Sequence, residues 1–338
     1  MRGDRLIGLL ASVLSAALVA ASPAQAEDPA LTLLNATSAG AFRQGWSGEG
    51  EDRIHYVAGG SGPTVVFVHG FPSFWYAWRH QLQAFAPCRR VIAIDAPGAN
   101  LSGRPGVREA YRVARLAERL DAFIAEVAPG EKITLVGHDW GGALAWSYAE
   151  WRPQRVARLA AFSAPPFDLF LELAATDPAQ RERSAYMQRF RALDLEAIIA
   201  RRVDSALWTA AYAEMVARGV LTAQEGALFR SALSPSAVDA GMDWYRANVP
   251  PFETIDLDRD SWPARDAKAE LSVLLVEGER DRTFVPELAA RARAHADTLQ
   301  TVTLPGVGHW TPFEDPAAAN AALGRFLGLP EGRCPAAE

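Results

Sequence analysis

The sequence has only two cysteines, no basic cluster, no internal repeat and no low-complexity linker, and past its N-terminus it has no apolar run of bilayer length. Each absence removes a class of protein. Without a repeat the chain is not a solenoid or an array. With a formal charge of −6 and no basic patch it is a poor nucleic-acid binder, and no such partner is expected. Cys88 and Cys334 can form at most one disulfide. Hydrophobic residues at 49% and charged residues at 22% place the chain among soluble globular proteins rather than disordered or fibrous ones. Its 338 residues suffice for one large core with an inserted subdomain.

The one long apolar stretch stands at the start. Arg2 and Arg5 precede a run from Leu6 to Ala21, followed by Ala24-Gln25-Ala26. A basic start, a short apolar centre and a small-residue site describe an export signal, and the run is shorter than the roughly 20 apolar residues that span a bilayer. Residues 1–26 are therefore read as a signal peptide cleaved near Ala26, leaving a periplasmic or secreted protein without a membrane span. Losing Arg2, Asp4 and Arg5 moves the formal charge one unit further negative. Both cysteines remain, in a compartment where a disulfide persists, and whether Cys88 meets Cys334 stays open at this point.

Residues 27 to about 50 show no sustained periodicity and read as a lead-in. From there strand-like and helix-like segments alternate. Thr64–Val68, Val91–Ile94 and Ile133–Val136 are short β-rich runs ending in loops with Gly or Pro. Between the last two, Val113, Leu116, Ala117, Leu120, Phe123, Ile124 and Val127 recur at helical spacing, as in a crossover joining parallel strands. This is an α/β doubly wound pattern. After Pro165-Pro166 it stops. Residues 167–263 read as helices only, clearest at Arg189–Arg202 and Ala206–Arg218, and strands resume at Leu271–Val276 and Gln300–Leu304, with helices near Glu287–Ala296 and at Pro316–Phe326. The expected organisation is a core from 27–166 and 264–338 with a helical cap at 167–263.

The chemistry gathers at the loops after the strands. Ile133–Val136 runs into Gly137-His138-Asp139-Trp140-Gly141-Gly142 and then a helix. Small residues around one projecting side chain at a strand-to-helix turn make a nucleophile elbow, here occupied by Asp139 where serine is usual. A plain helix-capping aspartate is the simpler alternative. A carboxylate attacking an acyl carbon would give an anhydride, whereas displacement at an sp³ carbon gives an ordinary ester, so epoxides or alkyl halides fit. Hydrolysing that ester needs a base for water and donors for an oxyanion. His309, in Gly308-His309-Trp310 after the last strand, is the candidate base; His55, His80, His138 and His295 lie on strand or helix positions that suit structural roles. Asp281, after Leu271–Val276, is its expected partner, with Glu277 and Glu279 as competitors. The amides of Phe71 and Trp140 are the expected oxyanion donors, the first following His69-Gly70 and preceding Pro72.

Taken together, His-Gly-Phe-Pro at 69–72, the aromatic stretch Phe74–His80, Asp95–Pro105, the Asp139 elbow and Asp-Trp-Tyr-Arg at 243–246 resemble the epoxide hydrolases of the α/β-hydrolase superfamily. The likeness covers about residues 50–165 and 265–328, and more thinly the segment between. It implies an α/β-hydrolase fold, a mostly parallel sheet flanked by helices with an inserted cap, and an enzyme that opens a small apolar epoxide with water and needs no metal or cofactor. It implies also that two cap tyrosines hold the epoxide oxygen. Tyr245 matches the second; Tyr186 stands near the place of the first, with Tyr212 in reserve. The haloalkane dehalogenases share the Asp nucleophile and the following Trp, but often carry Asn where this chain has Phe71. A binding protein that kept the fold and lost catalysis is the remaining alternative.

Overall fold

The computed structural model describes residues 27–38 and 42–335, so the segment read as an export signal lies outside the described residues. The strands are β1 (Arg43–Ser47), β2 (Ile54–Gly59), β3 (Thr64–Val68), β4 (Arg90–Ile94), β5 (Ile133–His138), β6 (Val156–Phe162), β7 (Ala269–Gly278) and β8 (Ala296–Leu304). They form one sheet in the order β1-β2-β4-β3-β5-β6-β7-β8. Only the pairings of β2 are antiparallel; from β4 to β8 the sheet is parallel. Every residue of β3 and β5 is buried, as a central parallel strand covered on both faces requires. Helices α1 (Pro29–Thr37), α2 (Arg79–Phe85), α3 (Val113–Val127) and α4 (Trp140–Trp151) belong to this layer structure. The apolar stripe of α3 is buried throughout, while α4 is buried from Trp140 to Ala149.

Between β6 and β7 every described element is helical, from Phe167 to Asp260, beginning with α5 (Phe167–Thr176) and α6 (Pro178–Arg191) and including the helix Pro235–Asn248. This insert is tied down to the sheet layer. Arg79 of α2 and Glu225 of the insert form a largely sequestered ion pair at 2.5 Å, and the Trp244 indole donates to the Pro97 carbonyl at 3.2 Å. Cys88 and Cys334 are bonded, with Cα atoms 5.6 Å apart across 246 positions of sequence. Among the described residues no helix is long and apolar enough to cross a membrane.

The structure corrects four readings. The lead-in at 27–50 contains α1, capped by the Asp28 carboxylate, and β1, an edge strand. The edge position leaves β1 mostly unburied, which is why its sequence shows no apolar run. Strand β6 was not expected; Val-Ala-Arg-Leu-Ala-Ala-Phe is alanine-rich rather than β-branched, and its place between β5 and β7 makes it a strand. The helix expected over Arg189–Arg202 is broken, since α6 ends at Arg191 and Asp194 caps a new helix at Leu195. The helix expected at Glu287–Ala296 is one turn, Leu288–Arg291, followed by a 3₁₀ turn, and β8 begins at Ala296.

Candidate active site

In chain order β3 leads outward to β4 on one side, while β5 lies on its other side, so the sheet changes direction between β3 and β5. A crevice opens at such a switch point beyond the carboxyl ends of the strands. Phe71 follows β3 there and Asp139 follows β5.

The Phe71 N–H is aimed by a locked loop. Asp95 is fully buried and accepts from the Trp75 N–H (3.0 Å) and the Asn100 amide (2.9 Å), with His55 Nδ1 at 2.8 Å. This fixes the chain at Ala96, whose N–H donates to His69 Nε2 at 2.9 Å. His69 Nδ1 therefore carries the proton and donates to the Gly70 carbonyl at 2.7 Å. Gly70 has no substitute here, because a Cβ on it would stand 2.2 Å from the Asp139 carboxylate. The next residue, Phe71, donates its N–H to Asp139 Oδ1 at 2.8 Å.

Asp139 sits at φ 52°, ψ −124°, a strained backbone for a residue with a side chain and outside the left-handed helical region. The turn is tight enough that a Cβ on Gly141 would lie 2.2 Å from the Val68 carbonyl oxygen. Although Asp139 is the N-cap of α4, its side chain makes no capping bond, which removes the simple helix-cap reading. Oδ1 faces the Phe71 N–H and Oδ2 faces His309 Nε2 at 3.5 Å. Burial favours the neutral acid, but His309, His138 and the Trp140 N–H outweigh it and hold Asp139 below the ordinary carboxylate range.

His309 is oriented from behind. Its Nδ1 is 2.8 Å from Asp281 Oδ2, and its backbone carbonyl accepts from His138 Nε2 at 2.9 Å. Burial disfavours the imidazolium, yet Asp281 and Asp139 together raise His309 to about 10. Asp281 is itself buried, and His309 with the Thr283 donors holds it well below the usual range. Glu279 instead accepts from the Gly306 N–H at 2.7 Å, and Glu277, pushed up by burial to about 6, forms no ion pair with His309. Burial lowers His138 to about 4, so it stays neutral beside His309.

Tyr245, from the helix Pro235–Asn248, and Tyr186, from α6, come over the same crevice. Their ring centroids are 6.3 Å apart, and Tyr245 packs edge-on against Trp140 at 5.0 Å and Phe71 at 5.9 Å. Burial and the Asp139 charge raise both phenols far above their ordinary range, so both keep their protons. Tyr212 is not part of this group. It is fully buried, donates its hydroxyl to the Pro72 carbonyl and stacks between Phe229 and Trp310.

Sequence reasoning missed Thr283. Its N–H donates to Asp281 Oδ1 at 2.8 Å, and its hydroxyl lies 3.2 Å from His309 Nδ1. The sequence carried no distinctive signal for it, since any residue but proline two positions after an aspartate can close such an Asx-turn. Asp139 opens on a narrow apolar cleft with Trp140, Phe167, Phe170, Met187 and Phe284. The indole of Trp208, also in the insert, donates to the Gly226 carbonyl at 3.0 Å.

The family model described as alpha/beta hydrolase fold matches residues 63–316. The chain belongs to that family. This α/β-hydrolase is 28% identical over 278 residues to the AB hydrolase superfamily protein YfhM of Bacillus subtilis (strain 168), spanning 81% of this chain and 94% of that one. Epoxide hydrolase 3 of Mus musculus is 29% identical over 281 residues, spanning 81% and 74%. Among solved structures, an epoxide hydrolase of Bacillus megaterium in complex with an inhibitor matches with a TM-score of 0.77 at 28% identity, over 84% of this chain and 100% of that one. The α/β-hydrolase fold read from the motifs is thus the fold of the chain, and the enzyme class is hydrolase.

Proposed function

We propose that this α/β-hydrolase opens a small apolar epoxide to a vicinal diol through a covalent ester on Asp139. The observation that carries the reading is the division of labour between the two carboxylate oxygens: Oδ1 takes the Phe71 N–H while Oδ2 faces His309. In the first step Oδ2 attacks a ring carbon, the ring C–O bond breaks, and Tyr245 with Tyr186 donates to the departing oxygen. Both phenols are protonated donors, as that role needs. The second step follows from charge. Once Asp139 is an ester it no longer holds the imidazolium, so His309 loses one of the two carboxylates that raise it, gives up its proton to the alkoxide left by ring opening and becomes a base for water. His309 takes a proton from water as the water oxygen adds to the ester carbonyl, and the oxyanion forms on Oδ1, already on the Phe71 amide, with the Trp140 amide as the proposed second donor. Its collapse breaks the bond between Cγ and Oδ2, so Oδ2 leaves in the diol with the proton from His309, and the new carboxyl group returns a proton to the imidazole. Relatives named epoxide hydrolases support the substrate class.

In this reading the helical insert caps the crevice, and its apolar wall of Phe167, Phe170, Met187 and Phe284 receives the hydrocarbon part of the substrate. The protein works outside the cytoplasm after losing residues 1–26. The Cys88–Cys334 bond supports that location, because disulfides persist in oxidising compartments. The test is a substrate panel: diol from styrene oxide or aliphatic epoxides, with no halide from chloroalkanes, is the expected result. Halide release without diol would make it a dehalogenase, and binding without either product a non-catalytic member of the fold.

A further inference from the structure

Away from the crevice a second group of two carboxylates and an imidazole is assembled from distant parts of the chain. Glu150 lies in the last turn of α4, Asp168 in the first turn of α5, and His295 at the end of the 3₁₀ turn before β8. One ligand atom from each lies within 4.8 Å of the other two. The group is mostly buried: Asp168 exposes 7% of its surface and His295 8%, or 11% counting its side chain alone, while Glu150 is half-buried.

Three features set it apart from an ordinary buried ion pair. First, His295 Nδ1 and Glu150 Oε1 are buried without a hydrogen-bond partner. Nδ1 stands 3.5 Å from Asp168 Oδ1, beyond a normal hydrogen bond. Bonds of about 2.1 Å to a tetrahedral ion separate neighbouring ligand atoms by about 3.4 Å, close to the 3.5 Å between His295 and Asp168. Second, Asp168 is already oriented by outer contacts, Oδ1 taking the Leu169 N–H at 2.8 Å and Oδ2 the Asp266 N–H at 3.2 Å, as metal carboxylates are. Third, Glu150 puts a carboxylate at the negative end of a 12-residue helix, and among the described residues no arginine or lysine pairs with it or with Asp168.

We propose that Glu150, Asp168 and His295 form a divalent-cation site of the zinc type, with one nitrogen and two oxygen ligands from the protein. Imidazole with carboxylates suits zinc or a neighbouring transition ion better than magnesium or calcium. The ion would tie the far end of the helix that begins at Asp139 to the first helix of the insert and to the edge of β8. Its role is structural, so its loading is read by binding and stability rather than by turnover.

The test uses the full mature protein stripped with chelator and titrated with Zn²⁺ by calorimetry, with Tm measured alongside. One equivalent is expected to bind and raise Tm by several degrees. His295→Gln should weaken binding by at least about 100-fold, beyond what outer contacts contribute. His309→Gln, which removes the imidazole of the crevice, should still bind one equivalent. Co²⁺ in the unmutated protein should give the visible absorption of a four-coordinate ion and paramagnetically shift the His295 ring protons, a readout independent of whether the variants fold. No stoichiometric uptake, uptake unchanged in His295→Gln, uptake lost in His309→Gln, or a cobalt shift on another histidine would each overturn the proposal.

Discussion

Helix α4 carries a buried carboxylate near each end, and the comparison between them shows what decides the state of a buried acid. At the amino end, Asp139 meets the Phe71 and Trp140 N–H groups and His309, and is held charged although burial opposes it. At the carboxyl end, Glu150 meets no comparable donor; burial and the neighbouring Asp168 push it well above the ordinary range. Both are partly withdrawn from water. The difference lies in donors and in the helix dipole, which favours an anion at the first turn and opposes one at the last. One end keeps a nucleophile ionised; the other holds a carboxylate that calls for a proton or a cation.

That contrast can be broken from either end, and the largest effects belong to the first turn. Asp139→Ala is expected to lower kcat for diol formation by at least about 10⁴-fold with the fold retained by circular dichroism, while His309→Gln should still be alkylated and accumulate the ester, seen as a stoichiometric gain in intact mass. Full turnover by Asp139→Ala would dissolve the comparison. Next come the hydroxyls over the crevice. Tyr245→Phe should cost about 10²–10³-fold in kcat, the range for one lost donor to a developing alkoxide, with little change in Tm. Tyr186→Phe should act in the same direction, and a variant slowed only in ester hydrolysis would remove that tyrosine from ring opening.

The smallest effect is the sharpest comparison of the two ends, because both titrations appear in stability. A carboxylate raised on folding, as Glu150 is, destabilises the folded state increasingly as pH rises above its ordinary value. Glu150→Gln in chelator should therefore raise Tm by about 2–4 °C at pH 8 and by less at pH 5. His309 has the opposite form. Its raised pKa contributes stability that is complete below the ordinary histidine value and is lost as pH rises through about 10, so His309→Gln should flatten the fall in Tm between pH 7 and 10. A Glu150→Gln variant that melts lower at pH 8 than at pH 5 relative to the unmutated protein would reverse the assignment.

The elbow was legible because it is local: glycines beside one projecting side chain, after a β-rich run and before a helix, leave few other structures. Phe71 and His309 were legible for the same reason, each standing in a short loop after a strand. Asp281 could be set above Glu277 and Glu279 by position, but only the fold shows which carboxylate reaches the imidazole. Tyr245 and Tyr186 came from resemblance alone, since nothing in a helical tyrosine says which way it faces. Strand β6 and the α1–β1 segment were hidden for physical reasons, one too rich in alanine and the other too exposed at the sheet edge to show its period. The Glu150, Asp168 and His295 group was beyond reach, being three single residues joined only by tertiary packing, with His295 set aside as an ordinary helical histidine.

The central claim is that Asp139 forms a bond to substrate carbon and is released by water attacking its own carbonyl. A single turnover in ¹⁸O-water with enzyme in excess over epoxide tests it directly by peptide and product mass spectrometry. The account predicts one ¹⁸O in the peptide containing Asp139 and none in the diol; ¹⁸O in that first diol, with the peptide unlabelled, would contradict it.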